Sequence, residues 1–160
     1  MIDAMDKAAG LSPDDALFAA RRFRPEFVQG AEECRVSVLQ PANDQGLARN
    51  LRAALARRMA ALNGDPVLMA EYDVQLAQLD PTEQLLALAQ GETDFNEPLA
   101  TIVRHVDLIT MTPKKAEASH IAALAKAGLN NPQIVALSEL IAFVNFQTRV
   151  AAGLRLMRST

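Results

Sequence analysis

The groups able to do chemistry in this chain are few: one cysteine, two histidines and one tyrosine among 160 residues. His105 lies in an otherwise apolar helix end, IVRHVDL at residues 102–108. A neutral imidazole there would serve as acid or base near pH 7, as proton abstraction or decarboxylation requires. The alternative is a hydrogen-bonded or helix-capping histidine. His120, beside Ser119 on an amphipathic stretch, reads as surface. Asp65 precedes Pro66 and is either an ordinary helix N-cap or a catalytic carboxylate. Tyr72 is either a core ring with its hydroxyl bonded to a partner or a proton donor. Asn145 and Arg149, one turn apart in an apolar helix, suit a carboxylate ligand or a pair across a subunit interface. Asp65, Tyr72 and His105 are therefore the candidate catalytic groups, and Arg149 and Asn145 the candidate binding groups.

Scarcity excludes several classes. One cysteine permits no internal disulfide framework, no Cys-rich zinc site and no Cys-x-x-Cys redox couple. Two histidines leave little for a metal centre, so no metal and no cofactor is expected. Cys34 follows Glu32 and Glu33, whose charges oppose thiolate formation, and reads as a partly buried, unreactive thiol. A net charge of −3 lacks the phosphate-neutralising excess that nucleic-acid binding needs. The basic clusters Arg21, Arg22, Arg24 and Arg57, Arg58 read as solvated helix faces or intersubunit pairs. The first ten residues carry Asp3 and Asp6 without an apolar run, unlike a signal peptide. The apolar stretch 134–150 is broken by Ser138, Glu139, Asn145 and Arg149, which argues against a membrane span. A cytoplasmic protein is the resulting expectation.

The elements that must position these groups are helical. Alanine (29) and leucine (21) far outnumber the 16 valines and isoleucines, a balance that favours helix over strand. Proline repeatedly follows a capping residue, at Ser12-Pro13, Asp65-Pro66, Asp80-Pro81, Thr112-Pro113 and Asn131-Pro132. Asp80 with Glu83 reads as a capping box, while Gly64, Gly91 and Gly128 read as helix stops. Helices are predicted near 13–23, 26–39, 47–62, 66–78, 81–90, 97–109, 113–127 and 132–157, with no strand. Leu47, Leu51, Leu55, Met59 and Leu62 form a core stripe, placing Arg49, Arg52 and Arg57 on other faces. The last helix is apolar on more than one face, so it is either central or shared with another subunit. A chain of this length is expected to form a single domain, with 1–46 a helical extension on a 47–160 core.

Two stretches resemble one family. The first joins LSPDDAL (11–17) and RPE (24–26) to residues 51–76. The second joins DLIT (107–110), Pro113, ALAKAGL (123–129) and IVALSELIAFVNFQTRVAAGL (134–154). Together they resemble the carboxymuconolactone decarboxylase-like, or alkylhydroperoxidase-D-like, superfamily in its peroxidase-related branch. The resemblance implies an all-α single-domain fold of about eight helices that associates as a homo-oligomer, a dimer, trimer or hexamer. Redox-active members carry Glu-x11-Cys-x2-Cys-x3-His, with thiols at a helix start where the N-terminus lowers their pKa. Peroxide oxidises one thiolate, and the second cysteine resolves the sulfenic acid as a disulfide.

NGDPVLMAEY (63–72) is similar to the frame of that motif. On this register the two cysteines fall on Asp65 and Leu68, the histidine on Tyr72 and the glutamate on Ala53. None of the four retains the required chemistry. The first functional reading is thus a non-redox oligomer that binds a small molecule or a partner such as a peroxidase-like protein. The alternative is an acid–base decarboxylase or lyase acting on a small carboxylated or lactone substrate. A single-Cys peroxidase using Cys34 ranks behind both.

Overall fold

The fold is organised around one helix whose middle the solvent does not reach. In the computed structural model, which describes residues 1–159, α4 (Arg49–Leu62) is buried without interruption from Arg52 to Ala60. Its alanines at 53, 54, 56 and 60 let neighbours approach closely, and Leu55 and Met59 fill the space between. Around it pack α3 (Pro25–Leu39), α5 (Pro66–Ala77), α6 (Glu83–Ala89), α7 (Leu99–Met111) and α9 (Asn131–Arg158). Two short helices, α1 (Ala4–Ala9) and α2 (Ala16–Arg21), lie against α9 and α3, while α8 (Ala118–Lys126) lies against α7 and α9. A 3-10 turn, Pro113–Lys115, joins α7 to α8. Among the described residues there is no strand, so the chain is an all-helical single domain with nine α-helices, close to the eight predicted.

Three arginines of α4 correct the expectation of solvated faces. Arg52, Arg57 and Arg58 are buried because main-chain carbonyls, which need donors at helix ends, are aimed at them. Arg52 donates to the carbonyls of Val38, Asp44 and Leu47, closing the end of α3 and the loop after it. Arg58 donates to Leu88 and Glu92 carbonyls and grips Asp107 through two bonds of 2.7 Å. Arg57 pairs with Asp73 at 2.9 Å and reaches the Ala89 carbonyl. The C-terminus of α6 is thereby capped by two cations, matching its negative dipole end. Arg21 and Arg22 are likewise not free: they pair with Asp3 and Asp6 of α1.

Helix boundaries follow local capping chemistry, with some shifts. Asp65 caps α5, its carboxylate accepting from the Leu68 N–H at 3.1 Å. Gly64, Gly91 and Gly128 all adopt positive φ after their helices, as the stops require. Asp80 does not cap; it sits at φ +48°, and Thr82 instead accepts from Leu85 at 3.3 Å. Asn130 caps α9 rather than Asn131, in a reciprocal box with Gln133. The predicted 13–23 helix contracts to α2, because Asp15 accepts the Ser12 N–H at 2.7 Å and starts the helix later. The predicted 113–127 helix splits, since Thr112-Pro113 opens only the 3-10 turn. Helix α1 was not predicted; an Asp3–Asp6 capping box and Gly10 at φ +68° delimit its six residues.

Helix α9 is not the central element. It buries Ile134, Leu137, Leu140, Ile141 and Val144, yet Val135, Ala142 and Phe146 remain exposed along the other side. By length and mean hydropathy α9 does reach what a bilayer crossing needs, contrary to the reading from its polar interruptions. Its apolar window is 56% buried against the rest of the domain, which is the packing of a core helix.

Candidate functional site

The α4–α5 hairpin holds two of the predicted site residues, and both are engaged. Asp65 is 4% exposed. Besides capping α5, its carboxylate receives two bonds from Arg155 of α9, at 2.9 and 3.1 Å. Arg155 also donates to the Ala8 carbonyl, so one guanidinium ties α1, α5 and α9 together. Tyr72 is 1% exposed, and its hydroxyl donates to Gln147 Oε1 at 2.5 Å. Burial, reinforced by the Glu71 charge, pushes the phenol far above its ordinary pKa. Ala53 and Leu68 belong to the same apolar core. No described cavity is lined by Asp65 or Tyr72. This region has the make-up of a packed joint.

A groove lies elsewhere, among α7, α8 and α9. It exists because α8 buries only Leu124 among its nine residues and stands away from its neighbours. One cavity of about 370 Å³ is walled by His105, Ile109, Ile121, Ser138 and Ile141. A second, about 230 Å³, lies between α7 and α8 against Thr101, Arg104, His105 and His120. A third, about 420 Å³, continues along α9 past Asn145, Phe146 and Arg149. The first and third share Ile109, Ile141 and Ala142, so they adjoin one another.

His105 is the polar group common to the first two cavities. The α7 sequence puts it there: His105 shares the buried face with Thr101, Ile102 and Val106. It is 6% exposed, and its Nδ1 has no hydrogen-bond partner. Leaving a buried polar atom unpaired costs about 1–3 kcal/mol, and this nitrogen is sealed from solvent within the fold. Burial lowers the imidazole pKa below 6.5, and nearby His120 lowers it further. His105 is therefore neutral at pH 7 and able to take a proton. His120, read as surface, is half-buried, and its Nδ1 accepts the Glu117 N–H at 2.9 Å.

The two predicted binding residues diverge. Asn145 is satisfied inside the chain, accepting from Asn63 at 3.1 Å and donating to the Ile141 carbonyl at 2.9 Å. Arg149 is exposed, lines the third cavity and makes no hydrogen bond or ion pair with the described residues. The structure thus places His105 and Arg149 on adjoining cavities and leaves Asp65 and Tyr72 apart from them. Sequence reasoning missed His120 and Ser138 as groove residues; their only signal is helical spacing on α8 and α9. Cys34 is exposed rather than partly buried. Its thiol pKa is nevertheless raised, by desolvation and by the Glu139 charge, so the thiolate is disfavoured.

No protein-family model matches the chain, and no curated protein matches it either. Its fold is similar to that of an uncharacterized peroxidase-related protein from Silicibacter sp. TM1040, with a TM-score of 0.71. The alignment covers 92% of this chain and 77% of that one at 16% identity. The likeness establishes a shared helical fold.

Proposed function

We propose that this chain, built on a fold it shares with a peroxidase-related protein, works without thiol chemistry and binds a small molecule in the α7–α8–α9 groove. The observation that carries this is His105: an imidazole, nine-tenths buried, that walls two cavities at once. The α4–α5 hairpin supports the same reading from the other side. On the alkylhydroperoxidase-D-like register, its thiol and imidazole positions are Asp65, Leu68 and Tyr72. Asp65 is tied to Arg155, Leu68 is fully buried, and Tyr72 is bonded to Gln147. The single cysteine belongs to α3, outside that frame, with its pKa raised.

Acid–base turnover of the bound molecule is the second reading, and the depressed pKa of His105 favours it. A neutral imidazole at pH 7 accepts a proton from a positioned substrate. The non-thiol reading predicts no peroxide consumption above buffer, and no difference between the wild type and Cys34→Ser. The groove reading predicts that small molecules raising the melting temperature of the wild type lose most of that effect in His105→Gln. Turnover of peroxide that disappears with Cys34→Ser would overturn the first; undiminished stabilisation of His105→Gln would overturn the second.

A further inference from the structure

The groove carries information about what it would hold. Its body is apolar, formed by Ile109, Ile121, Ile141, Phe146 and Val150. Its far end carries Arg149, and here the contrast with the other arginines matters. Each of the others has a partner: Arg21, Arg22, Arg24, Arg35, Arg57, Arg58, Arg104, Arg155 and Arg158 in ion pairs. Arg49 and Arg52 bond to carbonyls. Arg149 alone among the described arginines is unmatched.

The turn at Pro113, which walls the third cavity, continues into Lys114 and Lys115, while Arg104 on the second cavity is already paired with Glu97. Glu117 is the one carboxylate on the walls. An anionic group at the Arg149 end therefore meets a cation with no carboxylate on the walls of the third cavity.

Length narrows the class further. Ile141 lies on the wall of the His105 cavity, and Arg149 follows it by eight residues on the same helix, a rise of about 12 Å. A short acid such as acetate reaches one end only. We propose that the groove takes an elongated amphipathic monocarboxylate, its carboxylate on Arg149 and its apolar body running past Ile109 and Ile141 toward His105. This rests on the groove being the binding site, and it names the ligand class for that site.

Calorimetric titration with decanoate, decanol and acetate, alongside spectra of the two imidazoles, tests it. Decanoate is expected to bind at least tenfold more tightly than decanol, and acetate to bind negligibly, with the His105 resonances moving. Arg149→Gln is expected to erase the decanoate advantage while leaving decanol unchanged, whereas the exposed control Arg24→Gln changes neither. If decanoate and decanol bind equally, or Arg149→Gln preserves the gap, while His105 still responds, the carboxylate assignment falls and the groove reading stands. If His105 responds to no probe, both fall. A second copy of the chain covering Phe146 and excluding both long probes would also overturn the proposal.

Discussion

Replacing Arg58 with alanine is expected to cost about 2–4 kcal/mol of folding stability, since two carbonyls lose their donor and the part-exposed Asp107 loses its cation. The guanidinium is 4% exposed and makes four bonds to three residues. Its loss leaves the Asp107 carboxylate without its bidentate cation and two carbonyls near the end of α6 without donors. Arg58→Lys is expected to recover only part of the loss, because an ammonium cannot reproduce two parallel bonds to a carboxylate. Urea denaturation of the three proteins measures this, and an Arg58→Ala loss below about 1 kcal/mol would place the pair among weak surface bridges. The consequence reaches function: Asp107 lies two residues beyond His105, so Arg58 pins the helix that presents the imidazole to the groove. A destabilised but folded Arg58→Ala should therefore also bind groove ligands more weakly.

The second large effect is expected at Asp6. Its carboxylate is fully buried, accepts bonds from Arg21 and Arg22, and closes the capping box of α1. Charge-assisted bonds of this kind contribute about 1.5–3 kcal/mol, and Asp6→Asn should lose most of that at neutral pH. Burial acts to raise the Asp6 pKa, but the bonds from Arg22, the Asp3 N–H and Arg21 outweigh it, so the folded value lies below the ordinary 3.8. A carboxyl with a depressed folded pKa contributes its full stability above the unfolded value and loses it as pH falls through the folded one. The stability gap between wild type and Asp6→Asn should thus stay level down to about pH 5 and close below about pH 4. A gap that instead widens toward acid pH would contradict the ionised clamp. Because α1 brings Met5 and Ala8 into the core, loosening it should also expose the end of α9.

Legibility in the sequence follows how local the physics is. Asp65, Gly64, Gly91 and Gly128 were readable because a cap or a positive-φ stop is decided within four residues. Asp80 misled for the same reason: Thr82 stood two residues on and capped better. The burial of Arg52, Arg57 and Arg58 was not readable, since it depends on carbonyls from α3, α6 and the loops after them. Periodicity assigned Arg52 and Arg57 to other faces, yet from Arg52 to Ala60 α4 is buried all round. Helix α1 was too short to show a period, and its capping box reads as an acidic N-terminus until Arg21 and Arg22 fold back on it.

The site was legible in part. His105 stood out as an imidazole among apolar neighbours, and the structure places it on a cavity wall. Arg149 was legible as a cation in an apolar helix, but its supposed companion Asn145 is bonded to Asn63, 82 residues away. Asp65 and Tyr72 drew attention through their places in a family frame, while their actual partners, Arg155 and Gln147, come from the far end of the chain. The groove itself depends on how little of α8 is buried, which the amphipathic look of residues 118–126 did not disclose.

The central claim is one of location: the binding groove lies on α7, α8 and α9, and the α4–α5 hairpin is a packed joint. Side-chain resonances of His105, His120 and the single tyrosine, followed as decanoate is added, test it most directly. The account predicts that both imidazoles shift while the Tyr72 ring, sealed in the core, does not. A Tyr72 ring that shifts while the imidazoles stay fixed would contradict it and return the site to the hairpin.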